Sequence, residues 1–203
     1  MKNPFYFGNE VHNDEFCNRI NELRELKNDI DNGLNVLLYA PRRFGKTSLL
    51  KKLQEELKSD TDTKVIFFDW MGVSSIDEFL DKYFHSIASS IESTSDKIIN
   101  LFKEILKIRP NITMKISNSN DITYGVSFSK KELDSSFEDI INLPFQYSQK
   151  TGKKIVVIFD EFQEIEQFEL EKKFRSVIQA HSRNVSYIFC GSKKSIMNAM
   201  FSD

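Results

Sequence analysis

Four short, mostly apolar runs alternate with amphipathic segments along this chain of 203 residues. The runs are LNVLLYA, KVIFFDW, IVVIF and VSYIFC, which begin at Leu34, Lys64, Ile155 and Val185. Because they lack a strict apolar and polar alternation, they predict strands that are buried on both faces, as in parallel sheets. Helices between parallel strands cover both faces of such a sheet. The sequence therefore predicts an α/β fold, a three-layer αβα sandwich around a doubly wound, mainly parallel sheet.

The segments between the runs carry apolar residues every three or four positions, which predicts amphipathic helices. These helices are expected over residues 13–32, 47–58 and 76–91, with a further helical stretch up to about Lys107. The first should end near Gly33. Ser75 and Glu78 have the spacing of a capping box, which marks the start of the third helix.

The period of the apolar residues changes to two between residues 108 and 130. Two alternating stretches are separated by SNSND, a run of turn residues, and together they predict a β-hairpin inserted on the main sheet. A helix is expected to follow from Leu133, and Pro144 should kink or break it. We expect one domain over residues 1–203, with residues 1–33 as an N-terminal segment and helix.

The composition of the chain disfavours several classes of function. The net charge of −2 and the pI near 6.0 give no broad attraction for nucleic acid. No segment approaches the roughly 20 apolar residues that span a bilayer, so we expect a soluble cytoplasmic protein.

Cys17 and Cys190 lie far apart in sequence and are expected to be thiols. His12, His85 and His181 lack partners at metal-ligand spacing, so a zinc site is not expected.

The segment APRRFGKTSLL, residues 40–50, is nearly a phosphate-binding loop between a strand and a helix. Gly45 lets the backbone approach the phosphates, Lys46 reaches the β- and γ-phosphates, and Thr47 offers its hydroxyl to Mg²⁺. Ala40 replaces the first glycine of the usual pattern, which alanine tolerates if φ stays negative. The predicted nucleotide contacts are Pro41, Arg42, Arg43, Phe44, Gly45, Lys46, Thr47 and Ser48.

The run IVVIF ends abruptly in Asp160 and Glu161. Open α/β sheets bind their ligands at the carboxyl ends of the strands, and two adjacent acids there are costly to bury without a cation or a polarised water. Asp160 is therefore a candidate Mg²⁺ ligand together with Thr47. Glu161 is the candidate general base that accepts the proton of the attacking water, and Lys46 completes the predicted catalytic pair.

The last run ends in Gly191, Ser192 and Lys193. A polar residue at the tip of such a strand is suited to sensing the γ-phosphate, although Ser192 is equally suited to capping the next helix. Candidate arginines for stabilising transition-state charge are Arg42, Arg43, Arg175 and Arg183, and the sequence assigns none of them.

Four stretches together resemble the archaeal-type ATPase family, which is placed among the STAND ATPases of the P-loop (ASCE) class. They are FxNRxxELxxL at Phe16 to Leu26, APRRFGKTSLL, GKKIVVIFDEFQEI and YIFCGSKKSIMNAMF. The resemblance implies a sheet ordered 5-1-4-3-2, ATP with Mg²⁺ as cofactor, and a C-terminal winged-helix region with further domains beyond residue 203. Ala40 departs from the family pattern and bears on nucleotide affinity. Asn18 replaces the glycine that commonly precedes Arg19, and it bears on the adenine-side contact.

Three hypotheses follow from these residues. The first is an ATPase that acts as a nucleotide-dependent switch, with appended effector domains or a homo-oligomer as partners and slow turnover in isolation. The second is the motor of a DNA-associated loader or remodeller, and the third is a nucleotide-binding scaffold with little hydrolysis. A GTPase is disfavoured because no Asn-Lys-x-Asp segment follows the acidic strand, and a small-molecule kinase because no arginine-rich lid stands out.

Overall fold

The computed structural model describes residues 19–91, 111–116, 122–127, 133–181 and 184–193. Helices and strands alternate through most of this part of the chain. In chain order they are α1 (Ile20–Asp31), β1 (Val36–Tyr39), α2 (Lys46–Leu57), β2 (Thr63–Asp69), α3 (Ile76–Ser90), β3 (Asn111–Ile116), β4 (Ile122–Ser127), α4 (Leu133–Thr151), β5 (Lys154–Asp160), a 3-10 helix (Phe162–Phe168), α5 (Glu171–Ile178) and β6 (Val185–Gly191). The four predicted apolar runs are β1, β2, β5 and β6.

The main sheet has the order β1-β6-β5-β2, and all three of its strand pairings are parallel. Counting only these four strands along the chain, the order is 1-4-3-2, which is the corresponding part of the expected 5-1-4-3-2. No fifth strand of this sheet lies among the residues that the structure describes. The prediction of a doubly wound parallel sheet is confirmed.

Helices cover both faces of the sheet at β5 and β6, which explains why these strands are mainly apolar, whereas Leu37 and Tyr39 of the edge strand β1 are exposed. Val156 and Ile158 of β5 point to one face and pack with buried leucines of α1 and α2. Val157 and Phe159, which alternate with them, point to the other face and pack against α3, α4 and α5. The result is the predicted three-layer sandwich.

The hairpin segment forms a separate two-stranded antiparallel sheet of β3 and β4. Its pairing register joins Asn111 to Ser127 and Ile116 to Ile122, and β4 runs beside α3. The predicted β-hairpin is confirmed, as a two-stranded sheet apart from the four-stranded one. The helical stretch expected near Lys107 lies outside the described residues.

Helix α4 continues through Pro144, so of the two expected outcomes the break was wrong and the kink stays a prediction. Proline removes one backbone hydrogen bond from a helix interior. On either side of it, however, Ile141, Leu143 and Tyr147 are buried in the core, and packing of an apolar face contributes most of a helix's stability in proteins. No helix among the described residues is long and apolar enough to cross a membrane.

Candidate active site

The loop between β1 and α2 is shaped by two left-handed residues. Gly45 has φ of +68° and Arg43 has φ of +67°. Ala40 keeps a negative φ, the condition under which alanine can replace glycine, and its N–H donates to the carbonyl of Gly191 on β6 at 3.4 Å. The loop therefore leaves the sheet at the carboxyl end of β1 and leads directly into the N-terminus of α2.

Lys46 is the first residue of α2, and it is only 5% exposed. Its ammonium group donates hydrogen bonds to the carbonyls of Ala40 and Pro41, at 2.9 and 3.1 Å. Both partners are neutral, and they engage at most two of the three N–H bonds of an ammonium group. The loop thus holds a buried positive charge at the amino end of a helix, where anions are also favoured.

Thr47 and Asp160 meet although they are far apart in sequence. The hydroxyl of Thr47 donates to Oδ2 of Asp160 at 2.6 Å, and the backbone N–H of Glu161 donates to Oδ1 at 2.9 Å. Asp160 is 1% exposed. The structure therefore brings the lysine-threonine turn and the acidic strand end into one site.

Glu161 follows Asp160 in a left-handed conformation, with φ of 48°. Its Oε2 accepts a hydrogen bond from Nε2 of Gln163, and Oε1 of the same Gln163 accepts from the backbone N–H of Ser192 at 3.0 Å. Ser192 thus lies at the edge of the site through its backbone. Gln163 was not among the residues predicted for the site, although its position as a polar residue between the apolar Phe162 and Ile165 was a signal.

Asp69 is a second residue that the site hypothesis did not include. It ends β2 and is the register partner of Asp160 on β5. Asp69 is exposed, but its carboxyl is partly desolvated, which raises its pKa; the charges of Asp160 and Glu161 raise it further, against the opposing hydrogen bond from the N–H of Met71. The signal in the sequence was that KVIFFDW, like the IVVIF run, ends in an acid.

The remaining predicted contacts lie around the loop with different exposures. Pro41, Arg42, Arg43 and Phe44 are exposed, whereas Ser48 is half-buried in the first turn of α2. An unpredicted contact joins Nη1 of Arg19 to the carbonyl of Gly45 at 3.4 Å. This places the start of α1 beside the loop.

Two of the candidate charged residues have other surroundings. Lys193 lies 3.4 Å from a carboxylate oxygen of Glu166 on the 3-10 helix. Arg175 lines a cavity of about 290 Å³ with Asn35 and Val36, at the amino end of β1 and away from the loop. Arg183 lies outside the described residues.

The buried sulfur of Cys190 lies beside the site on β6. Burial is the main cause that raises the pKa of this thiol, and the neighbouring Asp160 raises it further. The prediction of a thiol is confirmed for Cys190, which is a free buried cysteine. Cys17 lies outside the described residues.

The donor set fits a magnesium-bound triphosphate. Mg²⁺ prefers oxygen ligands and is usually held by one or two carboxylates together with substrate phosphates and water. Thr47 and Asp160 supply a hydroxyl and a carboxylate, and Lys46 supplies the charge for phosphate. Over the described ranges, no three His, Cys, Asp or Glu side chains gather as a metal site.

Comparison with known proteins shows what this chain is similar to. An ATP-binding protein of Methanocaldococcus jannaschii is 27% identical over 201 residues, which is 90% of this chain and 51% of the relative. The Walker-type ATPase of Pyrococcus abyssi has the same fold, with a TM-score of 0.52 and 20% identity over 97% of this chain and 51% of that one. The Aeropyrum pernix ORC1 protein, solved in complex with DNA, has a TM-score of 0.51 and 12% identity over 95% of this chain and 44% of that one.

The chain therefore spans about half the length of the relative and of the Pyrococcus protein that it matches. A family model described as an ATPase domain predominantly from Archaea matches residues 16–202, nearly the whole chain. The family that the motifs suggested is thus the family that the comparison finds. This chain belongs to the family of ATPase domains found predominantly in Archaea.

Proposed function

We propose that this domain binds ATP with Mg²⁺ and hydrolyses the bond between its β- and γ-phosphates. The observation that carries the proposal is the 2.6 Å hydrogen bond between Thr47 and Asp160, with Lys46 and Glu161 adjacent to them in the chain. A hydroxyl and a buried carboxylate at this distance are suited to share one cation. Family membership and the ATP-binding relative support the same nucleotide.

Each residue has a distinct role in the proposal. The amides of the loop and the ammonium group of Lys46 hold the phosphates, and Thr47 with Asp160 holds the cation. When bound, Mg²⁺ supplies charge neutralisation for the phosphate oxygens. Glu161 orients the attacking water and accepts its proton.

Hydrolysis by the domain alone is expected to be slow. P-loop enzymes that lack an arginine finger lose roughly 10³ to 10⁵ in rate. Arg42 and Arg43 are exposed on the loop, and Arg175 lies at the other end of the sheet. We infer that turnover stays slow unless one of these arginines, or Arg19, which contacts the loop, or an arginine supplied by a partner reaches the γ-phosphate.

The biological role that we propose is a nucleotide-dependent switch of the STAND kind, which converts hydrolysis into a rearrangement of appended domains or of a homo-oligomer. DNA is the alternative partner. The Aeropyrum pernix ORC1 protein was solved in complex with DNA, and it shares the fold with this chain. DNA binding by a protein that carries this domain would fall steeply as salt rises, because phosphate contacts release counterions.

Phosphate release from ATP tests the proposed reaction. Glu161→Gln removes the base and keeps the shape of the side chain, so we expect the rate to fall by roughly 10² to 10⁴ while ATP still binds. Glu164→Gln is the matched control, because Glu164 lies on the neighbouring 3-10 helix and is not part of the proposed site.

An equal rate of phosphate release from wild type and Glu161→Gln would contradict the proposed hydrolysis. If ATP binding persisted in both proteins, that result would favour the scaffold hypothesis. A fall of similar size in Glu164→Gln would show that the loss is not specific to the base.

A further inference from the structure

The side-chain amide of Gln163 connects two parts of the site that belong to different elements. Gln163 is 1% exposed, and its amide is engaged at both ends, by the carboxylate of Glu161 and by the backbone N–H of Ser192. Glu161 follows β5 and Ser192 follows β6. One buried amide therefore joins the candidate base to the end of the neighbouring strand.

The orientation of this amide follows from its partners. An ionised carboxylate only accepts hydrogen bonds and a backbone N–H only donates, so Nε2 of Gln163 faces Glu161 and Oε1 faces Ser192. If the amide were flipped, its oxygen would face the carboxylate of Glu161 and its NH₂ group would face the N–H of Ser192. Neither hydrogen bond could then form. A buried polar group that loses its hydrogen-bond partner is costly, which favours this single arrangement of the amide.

The backbone conformation of Glu161 explains why a hydrogen bond to its side chain matters for the position of the carboxylate. Glu161 has φ of 48°, which is a left-handed conformation that non-glycine residues adopt at a cost. The side chain leaves the backbone on a sharp turn between a strand and a 3-10 helix. The bond from Gln163 engages Oε2, so Oε1 remains the oxygen that can accept a proton from water.

We propose that Gln163 is a positioning residue for hydrolysis, which fixes the carboxylate of Glu161 relative to the end of β6. This inference rests on the proposed ATPase function. Gln163 acts through Glu161 and makes no contact with nucleotide in the proposal. Its loss should lower the rate of the chemical step and leave nucleotide binding unchanged, because binding depends on Lys46, Thr47 and Asp160.

Two substitutions separate the ends of the amide. Gln163→Met has a similar volume and removes both hydrogen bonds. Gln163→Glu keeps an acceptor for the N–H of Ser192 but replaces the donor by a carboxylate that repels Glu161. The matched control is Gln167→Met, which removes amide hydrogen bonds to the carbonyls of Val73 and Glu164 from the same 3-10 helix.

The experiment measures kcat and KM for phosphate release, the Kd for ATP by calorimetry, and the melting temperature of each variant. Both Gln163 variants should lower kcat by about 10- to 100-fold, the loss expected when a reacting group is misplaced by about an ångström. KM and Kd should stay within about twofold of wild type, because the residues that bind ATP are unchanged in both variants. Gln167→Met should keep the wild-type kcat.

Three results would overturn the inference. The first is a wild-type or higher kcat in folded Gln163→Met and Gln163→Glu, with Glu161→Gln still inactive, which would leave the proposed function intact. The second is a parallel loss of kcat in Gln167→Met, which would mark a general effect of the 3-10 helix. The third is equal phosphate release by wild type and Glu161→Gln, which would remove the proposed function and this inference together.

Discussion

The imidazole of His181 lies between the hydroxyl of Tyr187, at 2.6 Å, and the amide oxygen of Asn142, at 2.8 Å. Because Oδ1 of Asn142 can only accept, Nε2 of His181 carries the proton and Nδ1 accepts from Tyr187. The ring also stacks on Phe145, with 4.8 Å between ring centroids. Burial lowers the pKa of His181 to about 4, so the ring is neutral at pH 7.

The shift predicts a stability that depends on pH. The unfolded chain protonates His181 at its ordinary pKa of about 6.5, whereas the folded chain resists protonation down to about 4. The free energy of unfolding is therefore highest above pH 6.5 and falls between pH 6.5 and 4. We expect His181→Gln to lose less stability than wild type between pH 7 and pH 5, as measured by urea unfolding at both values.

His85→Gln is the control for this prediction. His85 lies on α3 and is the other histidine among the described residues. A change in pH dependence that appears in His181→Gln and not in His85→Gln would assign the effect to His181. An identical pH dependence in wild type and His181→Gln would contradict the assignment of the shift to His181.

At the scale of residues, the sequence indicated candidate site residues but not the contacts that the site residues make with one another. Lys46, Thr47 and Asp160 could be named because their residue types and spacing follow from phosphate and metal chemistry. Gln163 and Asp69 were not predicted at the site because their proximity to it arises from the tertiary structure, through a hydrogen bond to Ser192 in one case and strand pairing with Asp160 in the other. Sequence spacing does not encode such contacts.

The first turn of α3 shows how one element is fixed by its cap. The hydroxyl of Ser75 accepts from the backbone N–H of Glu78 at 3.2 Å, as the capping box predicts. The carboxylate of Glu78 returns to Ser74 and not to Ser75, where it accepts from the backbone N–H at 2.8 Å. The reciprocal bond is therefore displaced by one residue from the predicted arrangement.

We predict that Ser75→Ala destabilises the protein by about 1 kcal/mol, the typical cost of removing an N-cap hydrogen bond. Urea unfolding at pH 7 measures the difference. Ser89→Ala is the control, because Ser89 is an exposed serine near the other end of the same helix. A loss in Ser75→Ala no larger than that in Ser89→Ala would contradict the role of the cap.

Elements were predicted well where the apolar pattern was strong. The strands β2 and β5 were evident because helices cover both of their faces, which leaves a continuous apolar run. The continuity of α4 through Pro144 was not evident, because local propensity opposes it and burial of Ile141 and Tyr147 overrides that propensity. Burial of that kind depends on partners distant in sequence.

For the whole molecule, the strand order accounts for the site. The order β1-β6-β5-β2 with parallel pairing brings the carboxyl ends of β1, β5 and β6 to one edge. The phosphate-binding loop follows β1, the acidic pair ends β5, and Ser192 follows β6. General topology rules place ligands at this edge, so the location of the site followed from the predicted fold.

The central claim is that Lys46, Thr47 and Asp160 form one binding site for ATP with Mg²⁺. Calorimetric titration of ATP with Mg²⁺ into wild type, Lys46→Ala and Lys52→Ala tests it most directly. Lys52 lies on the same helix and pairs with Glu55 at 3.7 Å, so its removal deletes a charge of the same sign away from the loop.

We predict that wild type and Lys52→Ala bind ATP with equal heats. Lys46→Ala should lose affinity by at least about tenfold, since a charge-assisted hydrogen bond contributes about 1.5–3 kcal/mol. Equal heats of ATP binding in wild type and Lys46→Ala would contradict the account.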